Sequence, residues 1–392
     1  MRRVLPLSPL RQLLGGVVLL ALLACGPPTP ASQPAASAPT PTAAGARGGA
    51  SPAPPASTPS ANVPVALDLP TTPVVDLKVG VLPLASFGPL YIAYDRGYFK
   101  EVGLNVELVT GMTVNEHIAP LAQGQLHVAG CASNVPCFNA LNRQTDTQIV
   151  ASLQSAGQTE KSIGNVALVV RKDLWDDGTI RGPQDLVGRT LYLQAGEGSA
   201  VHVEAATWLK RNGVDPRSVQ VTNMFFPDVY AAMQNRGVEV GTSSEPLISM
   251  GLARGVHEIL ATMEDMHSTT QVLYLMFWSG IERLGPRVGE RFMVAYLRAA
   301  RDYVNAFEYG IDQDAIIDIL VRETPLKDPA LYRQIRYAWI DPDGRVNRQS
   351  MEADAELMRE LGLLGPVDLS GMFVDKYREF AVQYLGPYRP PR

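Results

Sequence analysis

Leu77-Lys78-Val79-Gly80-Val81-Leu82-Pro83, then Gly88 to Val102, then Leu104-Asn105-Val106-Glu107-Leu108-Val109 decide the fold class. The first run alternates and stops at a proline, the pattern of a half-buried strand. The second predicts a helix, and the third a second strand. Further along, 114–123 predicts a helix ended by Gly124. Strands are predicted at 126–130 and 148–153, with a helix over 134–142 between them. Strands that alternate with helices imply parallel pairing through crossovers.

The pattern then restarts. Val166-Ala167-Leu168-Val169-Val170 is an unbroken apolar strand, and 190–194 is the next. Ala195-Gly196-Glu197-Gly198-Ser199 is a Gly-rich loop that opens a helix over 200–211. Strands at 219–222 and 238–241 flank a helix over 227–234, and 272–277 is a very apolar strand. From Pro286 onward the chain is mainly helical, over 287–309, 312–322, 328–337, 348–361 and 375–384. The expectation is therefore an α/β protein of two lobes with a ligand cleft between them and a helical C-terminal third. Lobe 1 takes 74–160 and 270–392, and lobe 2 takes 161–269. The chain crosses out near 154–165 and returns near 266–272, and the C-terminal helices supply the layer that closes lobe 1. Ligands of open α/β sheets sit at the carboxyl ends of the strands. The loops to inspect are thus 83–91, 110–115, 131–136, 195–200, 223–230 and 243–246.

The composition agrees with a folded body. The chain has 392 residues, 46% hydrophobic and 19% charged, with a net charge of −5. No clustered Lys and Arg suggest phosphate contacts, so a nucleic-acid partner is not expected. Its five histidines show no metal-ligand spacing, and three cysteines make no disulfide framework. Neither a metal nor a cofactor is expected.

The N-terminus reads as an export signal. Arg2, Arg3 and Arg11 precede an apolar run from Leu13 to Ala24, which is shorter than the ~20 residues a membrane span needs. Leu22-Leu23-Ala24-Cys25-Gly26 resembles the bacterial lipobox, which implies a signal peptide over 1–24 and a lipid on Cys25. Cleavage there removes the three arginines and carries the net charge from −5 to −8. Residues 26–73 hold 13 of the 31 prolines, with Arg47 and Asp68 as their only charges. Such a stretch cannot bury enough apolar surface to fold, and 25–73 reads as a tether.

The run from Gly88-Pro89-Leu90-Tyr91-Ile92-Ala93-Tyr94 through Gly97-Tyr98-Phe99-Lys100-Glu101-Val102-Gly103-Leu104 to Glu107 resembles a cluster of ABC-transporter substrate-binding proteins. That cluster handles thiamine pyrimidine precursors, riboflavin, alkylsulfonates, taurine and nitrate. Leu121 to Ala129, Asp185 to Thr190, Leu209 to Asp215 and Ser244-Glu245-Pro246 are similar to it in the same order. The resemblance covers roughly 77–385. It implies the type II periplasmic-binding-protein fold and closure on a small molecule by a hinge motion. It also implies presentation of that molecule to separate permease and ATPase subunits, by a monomer held at the extracytoplasmic face of the cell membrane.

The candidate loops suggest the ligand's chemistry. They offer Phe87, Tyr91, Ser133, Asn134, Glu197, Ser199, Phe225, Phe226, Asp228, Tyr230 and Glu245, and no Lys or Arg. Rings stack on flat molecules, and carboxylates accept N–H and O–H groups. A neutral or weakly basic heterocycle is expected ahead of an anion, with riboflavin first and a thiamine pyrimidine precursor close behind. Sulfonate, taurine or nitrate is the alternative. Each residue also has a plainer role open to it. Ser133 and Asn134 suit a helix cap, Glu245-Pro246 a turn, Phe225 and Phe226 a core under a loop, and Tyr274 and Trp278 packing. Cys131 and Cys137 are expected as two buried free thiols rather than a pair. Asp341-Pro342-Asp343-Gly344 reads as a turn, because an EF-hand places its glycine at the sixth position. Two other classes stay open. One is a pyrimidine-synthase-like enzyme, which the sparse cysteines and the absence of a nearby histidine disfavour, so no enzyme is expected. The other is a ligand sensor.

Overall fold

The computed structural model describes residues 67–143 and 146–391. The signal peptide, Cys25 and the tether as far as residue 66 lie outside the described residues. Among the described residues, ten strands form two five-stranded sheets. β1 (Val75–Gly80), β2 (Leu104–Val109), β3 (Val128–Ala132), β4 (Thr147–Ser155) and β10 (Gln271–Trp278) make the first, in the order β2-β1-β3-β10-β4. β5 (Val166–Arg171), β6 (Thr190–Leu193), β7 (Gln220–Asn223), β8 (Val240–Ser244) and β9 (His257–Thr262) make the second, in the order β7-β6-β8-β5-β9.

The sheets are mixed, which corrects the expectation of parallel pairing throughout. β10 runs antiparallel to β3 and β4, and β5 runs antiparallel to β8 and β9. These are the first strands laid down after each crossing between the sheets. A chain arriving from the neighbouring sheet can insert in the opposite direction without a helical crossover.

The long helix Val288–Tyr309 covers the first sheet, as the apolar pattern required. Phe292 stacks on Phe99 at 5.0 Å and meets Phe277 edge-on at 5.4 Å. Smaller departures have local causes. The helix expected over 88–102 breaks into Gly88–Asp95 and Tyr98–Glu101, because Gly97 takes φ 75°. The helix expected over 328–337 stops at Tyr332, and the chain turns through 333–335 before an isolated bridge from Ser155 to Trp339. β9 and the helix Leu247–Ala253 carry no clean periodicity and were not expected from the pattern.

Cys131 and Cys137 are joined in a disulfide, which corrects the expectation of free thiols. The turn from β3 into the helix Val135–Asn142 brings their Cα atoms to 6.4 Å, within bridging reach. Closing so short a loop is worth about 2 kcal/mol of unfolded-state entropy. Urea unfolding with a phosphine reductant is therefore expected to show a loss of that size. The double variant Cys131→Ala/Cys137→Ala should not respond to the reductant. Identical curves for the wild type in both buffers would exclude this contribution.

Candidate functional site

A cavity of about 140 Å³ lies between the sheets. The loop after β1 contributes Ser86, the end of β4 contributes Gln154, and the start of β5 contributes Asn165 and Val166. The end of β8 contributes Ser244 and Glu245. Because β5 is antiparallel to β8, its first residues sit beside the last residues of β8, with Val166 opposite Ser244. Strand ends from both sheets thus converge, as the position of ligands in open α/β sheets requires.

Aromatic rings form much of the wall. Phe307 and Tyr337 stack at 5.4 Å with 17° between planes, and Tyr303 lies 4.8 Å from Phe307. Tyr332 lines the same side, and Phe226 reaches in from the helix Phe226–Gln234. The Tyr337 hydroxyl donates to Glu308 Oε2 at 3.0 Å, and Thr159 Oγ1 donates to the same oxygen at 2.9 Å. The Tyr337 amide donates to the Lys161 carbonyl at 3.0 Å. The aromatic wall is therefore tied to the crossover between β4 and β5. Glu264 holds that crossover from its other side, accepting from the Gly157 and Gly164 amides at 2.7 and 2.8 Å.

Glu245 and Arg336 are the charged residues of the lining. The Glu245 side chain is only 3% exposed. Oε1 accepts from Ser249 Oγ at 2.9 Å, and Oε2 accepts from the Ser249 amide at 3.1 Å. Burial pushes its carboxyl above the usual range, against the Ser249 bonds and the charge of Arg336. Arg336 Nη1 stands 3.6 Å from Glu245 Oε1. Beside them, the Asn165 side-chain oxygen is buried without a hydrogen-bond partner among the described residues.

The other residues singled out in the sequence lie elsewhere. Phe87 is wholly buried, and Tyr91 is buried with its hydroxyl donating to the Leu82 carbonyl at 2.7 Å; both support the 82–86 loop from beneath. Ser133 Oγ donates to the Gln271 carbonyl. Asn134 caps the helix Val135–Asn142, accepting from the Cys137 amide at 2.9 Å, and Ser199 caps Ala200–Arg211, accepting from the His202 amide at 3.2 Å. Their two loops meet where the Val135 amide donates to the Gly198 carbonyl at 3.0 Å. Glu197, Phe225 and Asp228 are exposed. Tyr230 is buried edge-on to His257, its hydroxyl accepting from Arg254 at 3.3 Å. Of the residues that the candidate loops offered, Glu245 and Phe226 line the cavity.

Sequence reasoning missed Asn165, Tyr332, Arg336 and Tyr337. Arg336 and Tyr337 were hidden by the helix expected over 328–337. The alternation Ile335, Tyr337, Trp339 was the available sign against a helix here. Among the described residues, no group of three or more His, Cys, Asp or Glu side chains could hold a metal. Among them, too, no helix is long and apolar enough to cross a membrane.

Residues 85–272 match the family model described as NMT1/THI5 like. The alkanesulfonate-binding protein SsuA from Xanthomonas axonopodis pv. citri, bound to MOPS, is 17% identical with a TM-score of 0.59, over 77% of this chain and 99% of that one. The periplasmic aliphatic sulphonate binding protein SsuA from Escherichia coli is also 17% identical, with a TM-score of 0.61, over 78% of this chain and 93% of that one. The periplasmic nitrate-binding protein NrtA from Synechocystis PCC 6803 is 13% identical with a TM-score of 0.60, over 80% and 89%. No curated protein sequence matches the chain. The fold is that of the periplasmic binding proteins, and the family match and the fold neighbours support the substrate-binding cluster resembled in the sequence.

Proposed function

We propose, from the premise of an NMT1/THI5-like match carried on a periplasmic-binding-protein fold, that this chain is an extracytoplasmic solute-binding protein serving an ABC importer. On this reading a lipid on Cys25 anchors it at the cell membrane, and 25–73 is the tether that lets the body reach its permease as a monomer. The observation that carries the reading is a buried carboxylate, Glu245, in an aromatic-walled cavity between two sheets. Such a cavity suits a small flat molecule with N–H donors, held by stacking and by charge-assisted bonds. A volume near 140 Å³ is small beside the usual ~300–1,000 Å³ of ligand pockets. That favours a single-ring thiamine pyrimidine precursor over the three fused rings and ribityl chain of riboflavin. Arg336 on the cavity wall supports a second reading, in which the ligand is a sulfonate or nitrate. The disulfide between Cys131 and Cys137 leaves neither as a free thiol nucleophile, which supports a binding protein over an enzyme.

The test is thermal unfolding of the purified protein with hydroxymethylpyrimidine, formylaminopyrimidine, riboflavin, taurine, an alkylsulfonate and nitrate. A ligand at 100 times its Kd stabilises by about 2.7 kcal/mol. A pyrimidine is expected to raise Tm, and Glu245→Gln to weaken its binding about 10- to 100-fold. A response to sulfonate or nitrate alone would sink the heterocycle and leave the importer. No response to any of the six would count against both.

A further inference from the structure

We propose that Arg336 is the specificity-determining residue of the cleft, and that it selects a bipolar ligand, one with a hydrogen-bond acceptor or negative group beside a donor edge. This rests on the solute-binding reading above and adds the ligand's polarity to it.

The Arg336 side chain is 40% exposed, and its guanidinium makes a single long ion pair in the cavity wall. At 3.6 Å from Glu245 Oε1, it stands outside the ~2.7–2.9 Å of a charge-assisted hydrogen bond. Its side chain makes no hydrogen bond to any described residue, although a guanidinium carries five N–H donors. Nor is it a loosely hanging surface arginine. A Cβ placed on Gly164 would meet Arg336 Cδ at 3.4 Å and Nε at 3.5 Å, so the side chain lies across the crossover between the sheets and is aimed at Glu245.

The opposite polarity is waiting beside it. Asn165 Oδ1 is buried with no donor among the described residues, and Glu245 meets Ser249, the Arg336 backbone amide and, at longer range, the Arg336 guanidinium. A purely cationic ligand would satisfy these oxygens and set its charge against Arg336. A purely anionic ligand would satisfy Arg336 and meet Glu245. In a partly buried site such like-charge contacts are weakly screened and costly. A molecule with both poles replaces one long ion pair by two shorter bonds. Because Glu245 ends β8 and Arg336 belongs to the C-terminal segment bridged to β4, those bonds would also draw the two sheets together.

The experiment is calorimetric titration of the full chain with four probes. Hydroxymethylpyrimidine and taurine are bipolar, ethylammonium is donor-only and ethanesulfonate is acceptor-only. At least one bipolar probe is expected to bind 10-fold or more tightly than either one-pole probe. Arg336→Gln should weaken that probe about 10- to 100-fold and abolish the preference for bipolar over one-pole probes, and Arg336→Lys should recover part of the loss. A merely structural Arg336 would instead leave the order of the probes as it was. The inference is overturned if a one-pole probe binds as tightly as the bipolar ones, if Arg336→Gln binds undiminished, or if neither bipolar probe binds. Small-angle scattering on the bound sample separates the two layers of the reading. A bipolar probe that binds without any closure supports the ligand's polarity and counts against the importer.

Discussion

Arg291→Met is expected to destabilise the protein by about 3–5 kcal/mol, the cost of leaving buried polar groups without their charged partner. Arg291 is fully buried on the helix Val288–Tyr309, and no carboxylate among the described residues pairs with it. Its charge is spread over backbone carbonyls instead. Nε donates to Val102 at 2.6 Å, Nη1 to Pro73 at 3.2 Å, and Nη2 to Gly103. The residue thereby holds the segment before β1 and the turn before β2 against the helix that roofs the first sheet. Methionine fills similar space but donates nothing. The Gly103 carbonyl would keep the Val75 amide at 3.1 Å, whereas the Val102 and Pro73 carbonyls would lose Arg291. Gly103 cannot change to compensate, since it takes φ 69° and a Cβ there would collide with the Thr71 carbonyl. Urea unfolding of the two proteins measures the difference. A loss below about 1 kcal/mol would mean that water replaces the guanidinium at those carbonyls.

Arg291 also shows where the sequence was readable and where it was not. Strong periodicity placed the strand–helix–strand start, the double crossing between sheets and the helices over 287–309 and 348–361, because apolar repeats of 2 and 3.6 residues survive any tertiary context. Strand direction was not readable. β5 and β10 look like parallel strands in composition, and only their place after a crossing makes them antiparallel. The loops at the strand ends were the right places to search, yet most of their side chains turned out to be caps and supports. Asn134 and Ser199 are typical: the same oxygen that recognises a ligand also satisfies the free amides at a helix start. Much of the aromatic and charged wall comes instead from Phe307, Tyr332, Arg336 and Tyr337, about 60 to 90 residues beyond Glu245. No local pattern connects those positions, since only the return of the chain to the first sheet brings them to the cleft.

Glu204→Gln is expected to flatten the pH dependence of stability and to stabilise the protein more at pH 8 than at pH 5, because glutamine has no proton for the unfolded chain to release. Glu204 is fully buried on the helix Ala200–Arg211, and neither of its oxygens has a hydrogen-bond partner among the described residues. Its neighbours Val203 and Ala206 pack in one cluster with Tyr274, Met351, Ala355 and Met358. The helix of the second sheet therefore lies against the C-terminal helix Arg348–Glu360 that covers the first. Burial, then the charges of Asp354 and Glu264, push the Glu204 carboxyl well above its ordinary value of 4.5. Asp354 is raised in the same direction by burial, against His267, whose Nε2 is 3.1 Å from Oδ1. The sign follows from proton counts. Above pH 4.5 the unfolded chain gives up a proton that the folded Glu204 keeps, so stability falls as pH rises from there toward the folded value. Glutamine has the same shape and no proton to lose. Thermal unfolding of both proteins between pH 5 and 8 decides the matter, and parallel curves would rule out Glu204 as the source. Because Glu204 and Asp354 stand on elements of different sheets, any motion that separates those sheets hydrates both carboxyls and releases protons. Ligand-driven closure should then take protons up, and calorimetry in buffers of different ionisation enthalpy would register the uptake in the wild type and its reduction in Glu204→Gln.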